Sequence, residues 1–171
     1  MNNQPIEIER KFLIKIPDIN TLRSQPGYFE TKITQLYISS PDGKSKGGRI
    51  RKSVYKDRTV YFKTYKRDIT ALKRIEIERE ITQEEFQRLS GYIMEGTTPI
   101  IKVRHSFEFD EKLVEVDIYE FWSDRATAEV ELSSEDEQLR LPNFIEVIKE
   151  ITYDKRYRNF SLAKAPVMEE I

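Results

Sequence analysis

Apolar and charged residues alternate with a period of two in seven separate stretches of this chain. These are Ile6-Glu7-Ile8-Glu9-Arg10-Lys11-Phe12, Arg49-Ile50-Arg51, Val60-Tyr61-Phe62-Lys63, Arg74-Ile75-Glu76-Ile77-Glu78, Lys102-Val103-Arg104, Val114-Glu115-Val116-Asp117-Ile118 and Ala128-Glu129-Val130-Glu131-Leu132. A period of two is that of a β-strand, so each stretch puts its charges on one face and its aliphatics on the other. The charged faces together hold eight acids and seven bases. One such strand is an ordinary solvated sheet face. Seven of them, with acids in some stretches and bases in others, predict a sheet whose polar face has a function.

The intervening segments predict a few short helices. Residues 18–24 read as a short helix followed by the turn signal Pro26-Gly27, and Thr34-Gln35-Leu36-Tyr37-Ile38 as a strand ended by Ser40-Pro41-Asp42-Gly43. Residues 44–48, with two lysines and two glycines, read as a mobile loop. Thr82 with Glu85 three residues on forms a capping box, and the helix it opens presents Phe86, Leu89 and Ile93 at helical spacing. A further helix is expected over residues 154–163, with Tyr157, Phe160 and Leu162 as its contacts. About eight closely spaced strands leave no room for parallel crossovers, which gives an α+β fold of mainly antiparallel strands. Two arrangements fit: an open sheet with helices on its aliphatic face, or a closed barrel whose charged face lines the bore. Some fifteen ionisable groups in a dry bore would lose several kcal/mol of solvation each, so a barrel would need water, metal and a highly charged ligand. A polyphosphate with divalent cations meets that need, its oxygens answering Lys and Arg and its metals answering Glu and Asp.

Composition narrows the class. The 171 residues are expected to form one domain over 1–171, and 38% hydrophobic residues with nine Tyr and nine Phe argue against disorder. A net charge of −1, from 29 basic and 30 acidic residues, creates no field favouring duplex nucleic acid or an anionic membrane. Cysteine is absent, which excludes disulfides, thiolate metal sites and cysteine nucleophiles and fits a reducing cytoplasm. No apolar leader or membrane-spanning run is present, so a cytoplasmic protein is expected. There is no glycine-rich phosphate loop, no HExxH and no plausible Ser-His-Asp set, with only one histidine in the chain.

Glu7-x-Glu9-x-Lys11 resembles the ExExK signature of the CYTH superfamily, the triphosphate tunnel metalloenzymes. Gln35-x-Tyr37, Arg49-x-Arg51, the strand ending at Lys63, Arg74-x-Glu76-x-Glu78, Lys102-x-Arg104, Glu115-x-Asp117, Glu129-x-Glu131 and the closing residues 150–159 follow in the family's order. The resemblance implies a closed eight-stranded β-barrel with a charged interior, a few helices packed outside, and a bound triphosphate with Mg2+ or Mn2+. It makes Glu7, Glu9, Glu115, Asp117, Glu129 and Glu131 metal-ligand candidates, carboxylates being the hard donors such ions prefer. Lys11, Arg49, Arg51, Lys63, Arg74, Lys102 and Arg104 become phosphate binders. Lys11, Tyr37, Glu76 and Glu78 become catalytic candidates, with some acids orienting water. Gln35-x-Tyr37 is similar to the small triphosphatase branch, which implies hydrolysis of inorganic tripolyphosphate or a related triphosphate. Class IV adenylyl cyclase activity and a non-enzymatic polyphosphate- or nucleotide-binding module are the alternatives. RNA binding on the sheet face would ask for stacking aromatics where the charges stand, with Tyr37 and Tyr61 the inward aromatics expected. Two positions depart from the pattern: residues 119–124 lack a glycine, and His105 stands where the family commonly has tyrosine. A homodimer through the outer sheet or Trp122 is expected as a partner arrangement.

Overall fold

Alternating strands can satisfy every backbone donor and acceptor by closing on themselves, and eight strands of this chain do so. The computed structural model describes residues 6–43, 47–70 and 73–171, without the side chains of residues 67, 68, 73 and 74. Its strands are β1 (Ile6–Lys15), β2 (Phe29–Ile38), β3 (Gly48–Tyr55), β4 (Arg58–Asp68), β5 (Lys73–Ile81), β6 (Ile100–Phe109), β7 (Lys112–Tyr119), β8 (Arg125–Glu131) and β9 (Val147–Glu150). The helices are α1 (Ile19–Arg23), α2 (Gln83–Ser90) and α3 (Asn159–Lys164), the last preceded by a 3-10 turn over Lys155–Tyr157. Neighbours run β5-β4-β3-β2-β6-β7-β8-β1, and β5 pairs back onto β1 to close an antiparallel barrel, with β9 added beside β1. The closure is short: Ile6–Ile8 of β1 pair with β5, and Phe12–Ile14 pair with β9. The open sheet is thereby excluded.

Two of the hairpins turn on residues that give little turn signal. Asp110 and Glu111 join β6 to β7 with φ of 53° and 62°, and Lys56 sits at 49° between β3 and β4. Two consecutive left-handed residues match the twist of the flanking strands, which outweighs the poor fit of Glu to that conformation.

Three apolar clusters divide the barrel. Phe12, Ile14, Val114, Val116, Ala128 and Val130 form an outer face covered by Leu22 of α1 and Ile145. Leu36, Ile38, Ile50 and Ile81 form a second outer face, covered by Leu89 and Phe86 of α2. Thr82 caps α2 by accepting from the Glu85 amide at 3.1 Å, while the Glu85 carboxylate turns to Arg79 rather than completing a capping box. The helix ends at Ser90, and Ile93 instead forms a bridge with Ile38.

The third cluster lies on the opposite face of the strands. Leu13, Ile100 and Tyr119 share a face with Lys11, Lys102 and Asp117, and Ile151, Tyr157, Leu162 and Ala163 pack onto them. The C-terminal segment thus stops one end of the bore with apolar side chains. The single helix expected over 154–163 is broken at Arg158, whose extended backbone (φ −68°, ψ 139°) separates the 3-10 turn from α3. Trp122 belongs to this plug at 4% exposure, its Nε1 donating to the Val167 carbonyl at 2.9 Å, which makes it a packing residue of the chain's own core. The mobile loop expected at 44–48 has residues 44–46 outside the described residues. Among the described residues, no helix is long and apolar enough to cross a membrane.

Candidate active site

Register decides which charges face the bore. Directly opposed residues share a face, so Lys102 opposite Tyr119, Arg104 opposite Asp117, and Glu115 opposite Glu129 place β6, β7 and β8 charges together. Lys11 lies opposite Glu129 on the same face. Deepest, against the plug, sit Lys11, Lys102 and Asp117, at 8%, 3% and 0% exposure. Arg104 is the hub. Its Nε and Nη2 donate to the two Asp117 oxygens at 2.7 Å each, Nη2 also reaches Glu129 at 2.9 Å, and Nη1 donates to Glu115. Lys11 pairs with Glu129 at 2.7 Å, and Lys102 with Asp117. Three acids and three bases thus neutralise one another on this wall.

The β2-β3-β4-β5 wall is arranged differently. Arg49 donates to Glu76 at 3.1 Å and to Thr64 Oγ1 at 3.2 Å, and Arg51 donates to Glu78 at 2.9 Å. Thr64 donates to the other Glu78 oxygen at 2.7 Å. The Nε of Arg49 and the Nε of Arg51 are buried and have no hydrogen-bond partner. A buried donor without an acceptor is costly, and two side by side on guanidinium groups fit an anion with several oxygens. Burial and the neighbouring Arg49 both depress the Arg51 pKa, as expected where cations crowd together.

At the seam between β1 and β5, Lys66 Nζ joins Glu7 at 3.1 Å and Glu76 at 2.5 Å. Burial pushes the Glu7 carboxyl up to about 7, against the pull of Lys66 and with help from Glu9 and Glu76. Burial also opposes ionisation of Glu76, but its hydrogen bond with Glu7 and the charge of Lys66 prevail and bring it down to about 2. The pair therefore shares one proton near neutrality. Glu9 and Glu131 face each other directly across β1 and β8. Like charges so placed repel.

These carboxylates bear on the metal. Among the described residues, no three acidic side chains are gathered closely enough to hold a metal ion. Of the six expected ligands, Glu115, Asp117 and Glu129 are held by Arg104 and the lysines. Glu7, Glu9 and Glu131 are the other three expected ligands, and carboxylates are the hard oxygen donors a divalent cation prefers. Glu9 and Glu131 are brought opposite each other, but the three are not gathered into a ligand set in this arrangement.

Burial lowers the Lys102 pKa to about 8, with Asp117 opposing and Arg104 reinforcing the shift. Burial likewise opposes the charge on Lys11, but Glu129 overrides it and holds the ammonium above the usual lysine range. Tyr37 is pushed up to about 12 by burial, so its hydroxyl stays protonated; it accepts from Gln35 at 2.8 Å and its ring meets Phe160 edge-on at 5.0 Å. Tyr37 is thus a hydrogen-bonding group at the plug end.

Two expectations are overturned by the register of β4. Lys63 lies opposite Ile50, on the outer face, with its Nζ over the Tyr65 ring at 5.2 Å. Tyr61 shares that face and packs on Phe86 of α2 at 5.0 Å. The inward residues of β4 are Phe62, Thr64 and Lys66, opposite Arg51, Arg49 and Glu76. Thr64 and Lys66 were missed in sequence, although they continue the alternation set by Phe62. Arg74 pairs through its backbone with Glu7, and its side chain lies outside the described residues. His105 is also on the outer face, hydrogen-bonded to the Tyr28 hydroxyl at 2.8 Å, away from the bore. The two lysines of β4 should therefore behave oppositely. Lys66→Ala should weaken binding of a polyphosphate anion by roughly ten-fold or more, as expected for loss of a charge-assisted phosphate contact, and Lys63→Ala by less than about two-fold. Calorimetric titration of both variants with tripolyphosphate checks this, and equal losses would contradict the register.

A family model described as the CYTH domain matches residues 5–161. None of the curated proteins compared matches the chain. Among solved structures, the chain is similar to the inorganic triphosphatase NE1496, at 30% identity and a TM-score of 0.60, over 93% of this chain and 95% of that one. A second structure of NE1496 gives 28% identity and a TM-score of 0.57, over 93% and 98%. The PH1819 protein from Pyrococcus horikoshii OT3 shares 19% identity at a TM-score of 0.54, over 76% of this chain and 80% of that one, which is a likeness of fold.

Proposed function

The chain belongs to the CYTH domain family, and from that premise we propose that it hydrolyses inorganic tripolyphosphate or a related triphosphate with the help of Mg2+ or Mn2+. The observation that carries this reading is the pair of buried, unpartnered Nε donors on Arg49 and Arg51, facing a bore whose opposite wall is already neutralised. The similarity to an inorganic triphosphatase over nearly the whole chain supports it.

The division of labour follows from the pairing. Arg49 and Arg51 have donors to give to phosphate oxygens, and Lys66 can exchange a carboxylate for phosphate at the seam. Arg104, committed to three acids, acts mainly by holding that wall in place. Lys102 adds a cation at the closed end. A divalent ion held by Glu7, Glu9 and Glu131 would supply further neutralisation of the triphosphate charge. Phosphoryl transfer through a loose transition state asks mostly for positioning and charge stabilisation, which preorganised side chains provide. Glu76 stays ionised and can accept a hydrogen bond from the attacking water. The water oxygen bonds to the terminal phosphorus as the bridging P–O bond breaks, the water proton passes to a phosphate oxygen of the products, and phosphate and diphosphate leave.

Product analysis tests the reading. Phosphate and diphosphate from tripolyphosphate, lost on adding EDTA, are expected. Cyclic AMP and diphosphate from ATP would move the protein to cyclase chemistry, and metal-independent binding without turnover would make it a binding module. A pH profile gives a second test. The cation at the closed end needs a protonated Lys102, so kcat/KM should fall above about pH 8. Lys102→Arg should remove the alkaline limb, since guanidinium does not titrate there. A profile flat from pH 7 to 9 would overturn the assignment of Lys102.

A further inference from the structure

Several arginines of this protein close on a carboxylate with two parallel bonds. Arg104 gives Nε and Nη2 to the two oxygens of Asp117 at 2.7 Å each. Arg10 gives the same pair to Glu150 at 2.9 and 2.6 Å, and Arg125 to Asp124 at 2.8 and 2.7 Å. That fork is the strong geometry for a guanidinium and a carboxylate, and it leaves Nε with nothing to offer a ligand. Arg51 faces Glu78 inside the bore, where the same fork would gain from burial, yet it gives only Nη2 to one Glu78 oxygen at 2.9 Å. Its Nε stays buried and unpartnered, as does that of Arg49.

The hydroxyl of Thr64 accounts for the difference. Thr64 is 1% exposed and stands on β4 directly between Arg49 of β3 and Glu78 of β5. A guanidinium can only donate and an ionised carboxylate can only accept, so the hydroxyl proton lies toward Glu78. Thr64 thus donates to the second Glu78 oxygen at 2.7 Å and accepts from Arg49 Nη2 at 3.2 Å. With that oxygen occupied, Arg51 has no second acceptor to fork onto. Arg49 is likewise held by Nη2 alone, shared between Thr64 and Glu76.

Resting on the triphosphatase reading, we propose that Thr64 is a positioning residue. Its hydroxyl blocks the Arg51–Glu78 fork and anchors Arg49 by Nη2, which keeps the Nε of both arginines available to the oxygens of a polyphosphate. Thr64 touches no phosphate in this role. It acts through the two guanidinium groups.

The test is calorimetric titration of the full chain with tripolyphosphate in EDTA, where metal-dependent turnover cannot contribute, with turnover in Mg2+ measured alongside. Thr64→Val keeps the shape and removes the hydroxyl, and it should weaken binding by about ten-fold, as expected when one charge-assisted donor is withdrawn from the anion. Its Tm should move by less than about 3 °C, because Arg51 replaces the donor that Glu78 loses. Thr64→Ser keeps the hydroxyl and should bind within about two-fold of wild type. In a Glu78→Gln background, Thr64→Val should change binding by less than about two-fold, since the carboxylate that would capture Arg51 is already gone. Binding by Thr64→Val within about two-fold of wild type would overturn the proposal, and so would Thr64→Ser binding as weakly as Thr64→Val. A Tm lower by more than about 6 °C in Thr64→Val would make the hydroxyl a structural bond and overturn it as well. Wild type that binds no tripolyphosphate without metal would also overturn it, because the free donors would then not hold the anion. The expected binding pattern without turnover would keep Thr64 in its role and remove the hydrolase reading. Turnover without that pattern would do the reverse.

Discussion

Replacing Arg104 by Met should lower the unfolding free energy by about 3–5 kcal/mol, the cost of stripping the partner from buried ions. Arg104 satisfies Asp117, which is fully buried, together with Glu115 and Glu129. Met keeps most of the volume, so the loss reports charge and not a cavity. For a domain of this size each kcal/mol moves Tm by about 2–4 °C, which predicts a drop of about 10 °C. The pH dependence has a definite sign. Burial already raises the Glu115 pKa despite Arg104, and removing the guanidinium must raise it further. A folded carboxyl with a raised pKa binds protons that the unfolded chain does not, so the variant's stability falls as pH rises. The deficit relative to wild type should be smaller at pH 5 than at pH 8. Thermal denaturation at both values checks this, and a Tm within about 2 °C of wild type would mean that Arg104 is not the hub of that wall.

The legibility of this barrel in its sequence follows the same logic of faces. β1, β7 and β8 read cleanly because Phe12, Val116 and Ala128 go to one core while Lys11, Asp117 and Glu129 go to the bore. β4 does not, because both of its faces hold aromatics. Tyr61 packs under α2 on the outside, and Phe62 lies under Arg51 on the inside. Charge alone then chose Lys63 as inward, whereas the continuation Thr64, Lys66 carried the correct phase. A pattern extended two residues further would have found it. The plug was illegible for a different reason: Leu13, Ile100 and Tyr119 continue charged faces with apolar residues, and only the returning C-terminal segment explains the switch. The turn at Asp110-Glu111 carried no glycine to announce it. Pairing also reassigned roles, since Glu115, Asp117 and Glu129 look like free ligands in sequence but are engaged by Arg104 in the fold.

Glu9 separates function from stability most sharply. Its register partner is Glu131, so the two carboxylates face each other across β1 and β8. Directly opposed like charges repel, while the nearby Lys11 attracts Glu9. Glu9→Gln therefore trades one effect against the other and should move the thermal midpoint by only a few degrees. Turnover should change far more. If Glu7, Glu9 and Glu131 hold the divalent ion, losing one carboxylate weakens metal binding and removes charge stabilisation in the transition state, and kcat/KM for tripolyphosphate should fall by about a hundred-fold or more. Part of that loss should be recovered at high Mg2+, because a weakened site still fills at sufficient concentration. The Mg2+ dependence of the rate and the melting curve, measured on the same variant, check both halves. Wild-type turnover at saturating Mg2+ would remove Glu9 from the metal site. A large fall in Tm would instead make Glu9 a structural ion-pair partner, and the lost activity would then follow from unfolding.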